Sequence, residues 1–337
     1  MLRFDDIFID CTRLGRKISK EKYLQKGKHI IIDQGQNDIA GYSNEEDGIF
    51  SDVPVIIFGD HTRIFKLIKN PFFLGADGTK ILKAKISNMS YDYLYYYLKY
   101  KKIPNTGYNR HFKWLKELTF EIKDFNEQKK ISNVLDKTLK ILEIKRRQLS
   151  ELDRLVKFQF LKMFGDPILN TLNFPTKKVI EVIKLQRGFD LPINQRNRKG
   201  NISVFGANGI LGFHDEAKKN FGIITGRSGT LGEVYISEKP FWPLNTTLFS
   251  IDTYENNIIY LKYLLIFYDL KRFSSGTGVP TLNRNILHDK EIISVPIELQ
   301  NKFADFVKQV DKSKVELQKS IDETQLLFDS LMDKYFG

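Results

Sequence analysis

Four arginines stand beside turns rich in glycine or asparagine: Arg63, Arg110, Arg227 and Arg284. A guanidinium held at such a turn can present two parallel N–H groups to guanine O6 and N7, the commonest specific contact in the DNA major groove. Amides able to pair with adenine in the same way accompany them: Gln34, Gln36, Asn37, Asn109, Asn208, Asn245 and Asn283. These residue types also stabilise turns and hold phosphates, and the sequence leaves both roles open for each. His61 and His111 lie in the same stretches and are equally at home on a surface or in a core.

Three stretches approach enzyme loops without completing them. Asn70-Pro71-Phe72-Phe73 is similar to the Asn-Pro-Pro-Tyr/Phe loop of amino-methyltransferases. The second proline is missing, however, and no glycine-rich cofactor loop precedes it. Phe205-Gly206-Ala207-Asn208-Gly209 has the Phe-x-Gly-x-Gly form of a cofactor loop, but Ile32-Asp33-Gln34-Gly35-Gln36, its counterpart earlier in the chain, does not keep that form. A repeated structural turn fits both. Gly226-Arg227-Ser228-Gly229-Thr230-Leu231-Gly232 could cradle a phosphate with backbone amides. Without the Gly-Lys-Ser/Thr ending of a nucleotide loop, a DNA phosphate suits it better than a nucleotide.

Composition narrows the field further. At 337 residues, 42% apolar and 13% aromatic, the chain can build two cores. No apolar run nears the roughly 20 residues of a membrane span, and Met1-Leu2-Arg3-Phe4-Asp5-Asp6 is no secretory leader. A lone cysteine, Cys11, forms no internal disulfide and points to the cytoplasm, and with five scattered histidines it makes no zinc site. The net charge is +12. Basic residues outnumber acidic ones 21 to 16 over residues 1–125, 10 to 5 over 126–165 and 16 to 12 over 166–296, and fall behind 6 to 8 over 297–337. Two basic globular parts suit a phosphate-bearing partner.

The elements that must position these residues come as a repeat. Residues 131–163 and 303–335 share an apolar 4-3 spacing, 172 residues apart. The expected helix–helix seam is Ile131, Leu135, Leu142, Leu149, Leu152 and Val156 against Phe303, Val307, Val310, Leu317, Ile321 and Phe328. The same stepping ends on Gln159 and Met163, and on Leu331 and Tyr335. Thr138, Lys145, Lys314 and Thr324 interrupt the seam, as register-fixing polar residues do. About 33 residues at 1.5 Å each make roughly 50 Å of helix, more than a small domain covers. Both helices end on an aromatic-glycine pair, Phe164-Gly165 and Phe336-Gly337.

Ahead of each helix lies a mixed stretch. Strands are expected near residues 28–32, 53–58 and 64–68, then near 202–205, 222–225 and 233–236, with aromatic helices at 91–98 and 259–265. Gly35-Gln36-Asn37-Asp38-Ile39-Ala40-Gly41-Tyr42 agrees or nearly agrees with Gly206-Ala207-Asn208-Gly209-Ile210-Leu211-Gly212-Phe213 at five of eight positions. The expected fold class is therefore α+β: mixed domains at 1–125 and 166–296, each followed by a long helix, at 126–165 and 297–337. The two helices should pair as an antiparallel coiled coil, giving a pseudo-two-fold repeat.

These motifs resemble the specificity subunit of a type I restriction-modification system. The likeness rests on Val55-Ile56-Ile57-Phe58-Gly59-Asp60-His61-Thr62-Arg63, Gly75-Ala76-Asp77-Gly78 and Gly107-Tyr108-Asn109-Arg110-His111-Phe112-Lys113 in the first half. In the second half it rests on Ile224 to Gly232, Asn245-Thr246-Thr247-Leu248 and Ser275-Gly276-Thr277-Gly278-Val279-Pro280-Thr281-Leu282-Asn283-Arg284. The Glu127-Gln128 helix start belongs to it as well. The resemblance implies two target-recognition domains reading the halves of a bipartite site in double-stranded DNA. It adds Lys113, Ser228, Thr230 and Thr281 to the DNA-contact candidates, beside His61 and His111. It implies no catalysis or cofactor in this chain. S-adenosylmethionine, ATP and Mg are expected on partners, namely two methyltransferase subunits docked on the helices and restriction subunits that translocate DNA.

Overall fold

A computed structural model describes residues 1–337 apart from Tyr108, Arg198 and Thr277. Tyr108 and Thr277, part of the motifs above, thus lie outside the described residues. The chain divides into two compact units, residues 1–145 with 320–337, and residues 146–319.

The first half runs through β1 (Leu2–Arg3), α1 (Phe4–Ile7), β2 (Phe8–Asp10), β3 (His29–Ile32), β4 (Gly41–Ser43), β5 (Val55–Gly59), β6 (Phe65–Ile68), β7 (Phe72–Leu74) and β8 (Thr79–Ala84). Helices α2 (Tyr91–Tyr100) and α3 (Phe112–Lys116), strand β9 (Thr119–Phe120) and the 40-residue helix α4 (Phe125–Phe164) complete it. The second half repeats the order. It has β10 (Thr176–Lys178), α5 (Val179–Val182), β11 (Lys184–Arg187), β12 (Ile202–Gly206), β13 (Gly209–His214), β14 (Gly222–Gly226), β15 (Val234–Ser237), β16 (Phe241–Pro243), β17 (Thr247–Asp252) and α6 (Ile258–Phe267). A short hairpin of β18 (Ser274–Ser275) and β19 (Thr281–Leu282) precedes α7 (Arg284–His288), β20 (Glu291–Ile293) and the 40-residue α8 (Ile297–Phe336).

Sheet topology repeats with the same fidelity. A four-stranded sheet β2-β8-β5-β6 and a three-stranded sheet β4-β3-β7 form the first domain; β11-β17-β14-β15 and β13-β12-β16 form the second. Every pairing in these sheets is antiparallel except β3–β7 and β12–β16. The expected α+β fold class holds. Of the strands in these sheets, β2, β4, β7, β8, β11, β13, β16 and β17 escaped the sequence reading, β13 because Gly209 and Gly212 look like turn residues.

Strand β5 shows how one sheet serves two cores. Val55 through Phe58 are all at most 1% exposed. Because successive side chains face opposite ways, Ile56 and Phe58 join the cluster under α2, while Val55 and Ile57 join Ile32 and Phe72 of the second sheet. In β14, Ile223 and Ile224 divide between two clusters in the same way.

The long helices pair within each unit. In the first unit Ile131 and Leu135 of α4 share a core with Met332 and Phe336 of α8. In the second, Val156, Phe160 and Phe164 of α4 share one with Phe303, Val307 and Val310 of α8. The start of one helix lies beside the end of the other in both cases, so the pairing is antiparallel. Ile131, Leu135, Leu142, Val156, Phe303, Val307, Val310 and Ile321 are buried, and Leu149, Leu152, Leu317 and Phe328 half-buried. The expected seam fails at the helix ends. Phe160 and Phe164 are buried where the 4-3 stepping selects Gln159 and Met163, and Met332 and Phe336 replace Leu331 and Tyr335. Steps of four turn the apolar stripe gradually around a 3.6-residue helix. The stripe thereby leaves the partner helix and enters the core of the globular domain.

Two lysines interrupt the seam with defined partners. Lys145 Nζ donates to Ser320 O at 3.1 Å, Ser320 Oγ at 2.7 Å and Thr324 Oγ1 at 2.7 Å. Lys314 Nζ meets Asp153 at 2.6 Å.

Candidate nucleic-acid interface

In the first domain the loops gather where β5 ends. Asp60, 4% exposed, donates its N–H to Gly78 O at 2.7 Å, and its Oδ1 accepts from Phe112 N at 2.7 Å. Its carbonyl accepts from His111 N at 2.8 Å and lies 2.9 Å from His111 Nδ1. One carboxylate residue therefore fastens the β5–β6 turn, the turn before β8 and the entry to α3. His111 is 0% exposed, so the expectation that it contacts DNA is corrected: the ring is a buried spacer beneath the loop.

Gln34 is half-buried and tied to the same loops. Its Oε1 accepts from His61 N at 3.1 Å, its Nε2 donates to Asp77 O at 2.9 Å, and Thr62 Oγ1 donates to its carbonyl at 2.7 Å. An amide bonded at both ends to backbone groups orders the loops around it. Gly78, at φ +79°, lies against His61 and Gln34, and a side chain there would strike both.

The next turn hangs on Lys66. This side chain is 4% exposed, donates to Asn37 O at 2.6 Å and lies 3.6 Å from Asp33. Burial lowers its pKa, against the opposing pull of Asp33. Above it Gln36 and Asn37 are exposed, as are Asn109 and Arg110 on the loop before α3 and Lys113 in its first turn. Asn109 Nδ2 donates to Thr106 O, and Lys113 Nζ stands 4.8 Å from the Trp114 ring centroid. Arg63 adopts a left-handed backbone, φ 62°, and donates through Nη1 to Ile103 O at 3.3 Å. It is half-buried and lines a cleft of about 410 Å³ with Thr62, Phe65, Lys99 and Lys101. His61 is half-buried beside it.

The second domain builds its loops on the same backbone bonds with different side chains. Arg227 follows β14 as Asp60 follows β5. Its N–H donates to Thr246 O at 2.8 Å, and its carbonyl accepts from Leu282 N at 2.8 Å. Ser228 bridges to Thr281, and Gly229 N donates to Pro280 O at 3.1 Å, stitching the loop to the segment before α7. Gly226 must be glycine, since a Cβ there would collide with the Thr230 carbonyl. The result is a cleft of about 300 Å³ whose lining includes Arg187, Arg227, Ser275, Thr281, Asn283 and Arg284.

Arg227 is half-buried, with Nη1 3.4 Å from Asn245 O, and Arg284 is exposed. Among the described residues neither meets a carboxylate at ion-pair distance, whereas Arg187 lies 3.8 Å from Asp190. Asn245 Nδ2 donates to Asp190, and Asn283 Oδ1 caps α7 by accepting from Asn285 N at 2.9 Å. Thr230 and Asn208 are exposed, Asn208 at the β12–β13 turn; Ser228 and Thr281 are half-buried. Sequence reasoning missed Arg187. The signal was there, since Arg187-Gly188 sets an arginine against a glycine as Gly226-Arg227 does. Behind the cleft, His288 Nε2 accepts from Leu185 N at 3.0 Å, and burial, with Arg284 and Lys184 nearby, holds its pKa below the usual histidine value.

These arginine- and amide-bearing loops meet a family boundary at this point. Residues 172–324 match the family model of the type I restriction modification DNA specificity domain. The matched stretch runs from just after α4 into α8. Two solved structures share the fold over nearly the whole length. The S subunit of the M. genitalium type I restriction-modification system is 20% identical, with a TM-score of 0.63, covering 100% of this chain and 95% of that one. A chain from a structure describing complex assembly and conformational transition of the type I R-M system is 12% identical, with a TM-score of 0.62, covering 99% and 96%. At these identities the likeness is one of fold. No curated protein matches the chain.

Among the described residues no group of His, Cys, Asp and Glu could hold a metal ion, and no helix is long and apolar enough to cross a membrane.

Proposed function

We propose that this chain is the specificity subunit of a cytoplasmic type I restriction-modification complex, and that each of its domains reads one half of a split site in double-stranded DNA. One observation carries the reading. The specificity-domain match covers the second half, and the first half repeats that half's sheet orders strand for strand. A loop frame used twice, with different polar side chains on each copy, suits two readers of different sequences. Exposed Gln36, Asn37, Asn109, Arg110 and Lys113 serve the first half-site; Arg227, Thr230, Asn208 and Arg284 serve the second. Ser228, Asn245, Thr281 and Asn283 shape the second loop frame, and His61 and Arg63 the first.

Binding of one domain raises the effective concentration of the other at its half-site. Basic residues neutralising phosphates make the affinity fall steeply with salt. The long helices set the unread spacer and dock two methyltransferase subunits. Both carry apolar side chains exposed to solvent, among them Val134, Ile141, Ile144, Leu155, Val315 and Leu326. S-adenosylmethionine, and the ATP and Mg of a translocating restriction subunit, belong to those partners. Co-expression with its neighbouring genes, followed by native mass measurement, tests the assembly. One specificity chain with two methyltransferase chains supports it; a chain that never retains a methyltransferase refutes it.

A further inference from the structure

The two domains carry opposite charges at one equivalent position. Asp60 and Arg227 each follow the last residue of the central strand, donate an N–H across to the turn before the next strand, and accept from the segment entering a short helix. Asp60 turns inward and is consumed by Phe112 N. Arg227 turns into a cleft that Arg187 and Arg284 also line. Of these three guanidiniums only Arg187 has a carboxylate at ion-pair distance among the described residues. The positive charge of Arg227 and Arg284 is therefore left for a ligand.

From this asymmetry we infer that the half-site read by the second domain contains guanine, recognised by Arg227 with Arg284 beside it. The inference rests on the function proposed above and adds the base and the residues. The chemistry favours a base edge over a phosphate at Arg227. Its backbone is fixed on both sides, at 2.8 Å to Thr246 O and 2.8 Å from Leu282 N, the residue is half-buried and Nη1 lies 3.4 Å from Asn245 O, so part of its rotamer freedom is already lost. A pre-ordered planar fork matches the paired acceptors O6 and N7, which a lysine ammonium cannot match. The first domain has Asp60 and not an arginine at this position.

The test selects duplexes from a randomised DNA pool with the full-length chain, comparing wild type with Arg227→Lys, Arg227→Gln and Arg284→Gln. A two-block consensus is expected with guanine in one block. Arg227→Lys should keep overall binding yet lose at least about tenfold of the preference for that guanine, with the other block unchanged as an internal control of folding. Arg284 is exposed, so Arg284→Gln leaves the fold intact and should weaken the same block. A wild-type consensus that survives all three substitutions, or changes equally in both blocks, overturns the inference while leaving split-site recognition standing. No consensus with wild type overturns both.

Discussion

Gln128 and Gln300, 172 residues apart, make the same hydrogen bonds in their two units. Gln128 Oε1 accepts from Ser90 N at 2.9 Å and its Nε2 donates to Lys123 O at 2.8 Å. Gln300 Oε1 accepts from Asn257 N at 2.9 Å and its Nε2 donates to Val295 O at 2.8 Å. Ser90 and Asn257 are the N-caps of α2 and α6, so each glutamine joins the first turn of a long helix to the start of an aromatic one. Both side chains are 1% exposed.

Replacing either glutamine by alanine strands a buried N–H and a buried carbonyl, at roughly 2–4 kcal/mol. Urea unfolding of Gln128→Ala and Gln300→Ala should show comparable losses. Losses below about 0.5 kcal/mol, the size of an ordinary surface substitution, would contradict the role given to them.

The ends of the long helices act as core anchors. Phe164 and Phe336 are 0% and 3% exposed, Phe164 against Tyr260 and Phe303, and Phe336 against Tyr93 and Tyr97. Phe164→Ala and Phe336→Ala should each cost about 3–5 kcal/mol. Denaturant titration with tyrosine fluorescence reads the loss; Tyr335→Ala, beside the buried face, should cost clearly less than Phe336→Ala.

Gln34 and Gln36 separate positioning from contact. Gln34→Ala should destabilise the protein by roughly 1–3 kcal/mol, because its amide bonds hold three loops. Gln36→Ala should leave the melting temperature unchanged and weaken only DNA binding. Equal effects of both on stability would refute the division.

His288 makes stability depend on pH. Its folded pKa lies below the ordinary value of about 6.5 because it is buried, with Arg284 and Lys184 nearby. The unfolded chain then binds more protons in that window, so stability is full above about pH 6.5 and declines as pH falls through the depressed folded value. Chemical denaturation between pH 7.5 and 5, as suggested by that window, should show this slope in wild type and a shallower one in His288→Gln. Identical slopes would remove His288 from the explanation.

Much of this was legible in the sequence, and the losses have physical causes. The duplication and the long helices were readable because a 4-3 apolar spacing over more than thirty residues has no other common meaning. Phe160 and Phe336 were not placed on the buried face, because the stepping assumed that one partner helix covers the whole stripe. The arginine-beside-turn pattern singled out Arg227 and Arg284, and both line one cleft. Residue type could not distinguish Gln36, which is exposed, from Gln34, which is tied to His61 and Asp77 across 27 and 43 residues of chain. Long-range backbone partners leave no trace in local spacing. His111 was lost for the same reason, its ring being held by Asp60.

The central claim is that this chain chooses the DNA sequence at which a partner acts. Methylome sequencing of the host with the gene intact, deleted and restored tests it most directly. N6-methyladenine at one split motif should be present, vanish on deletion and return on restoration. A methylome with no split motif that follows the gene would contradict the claim.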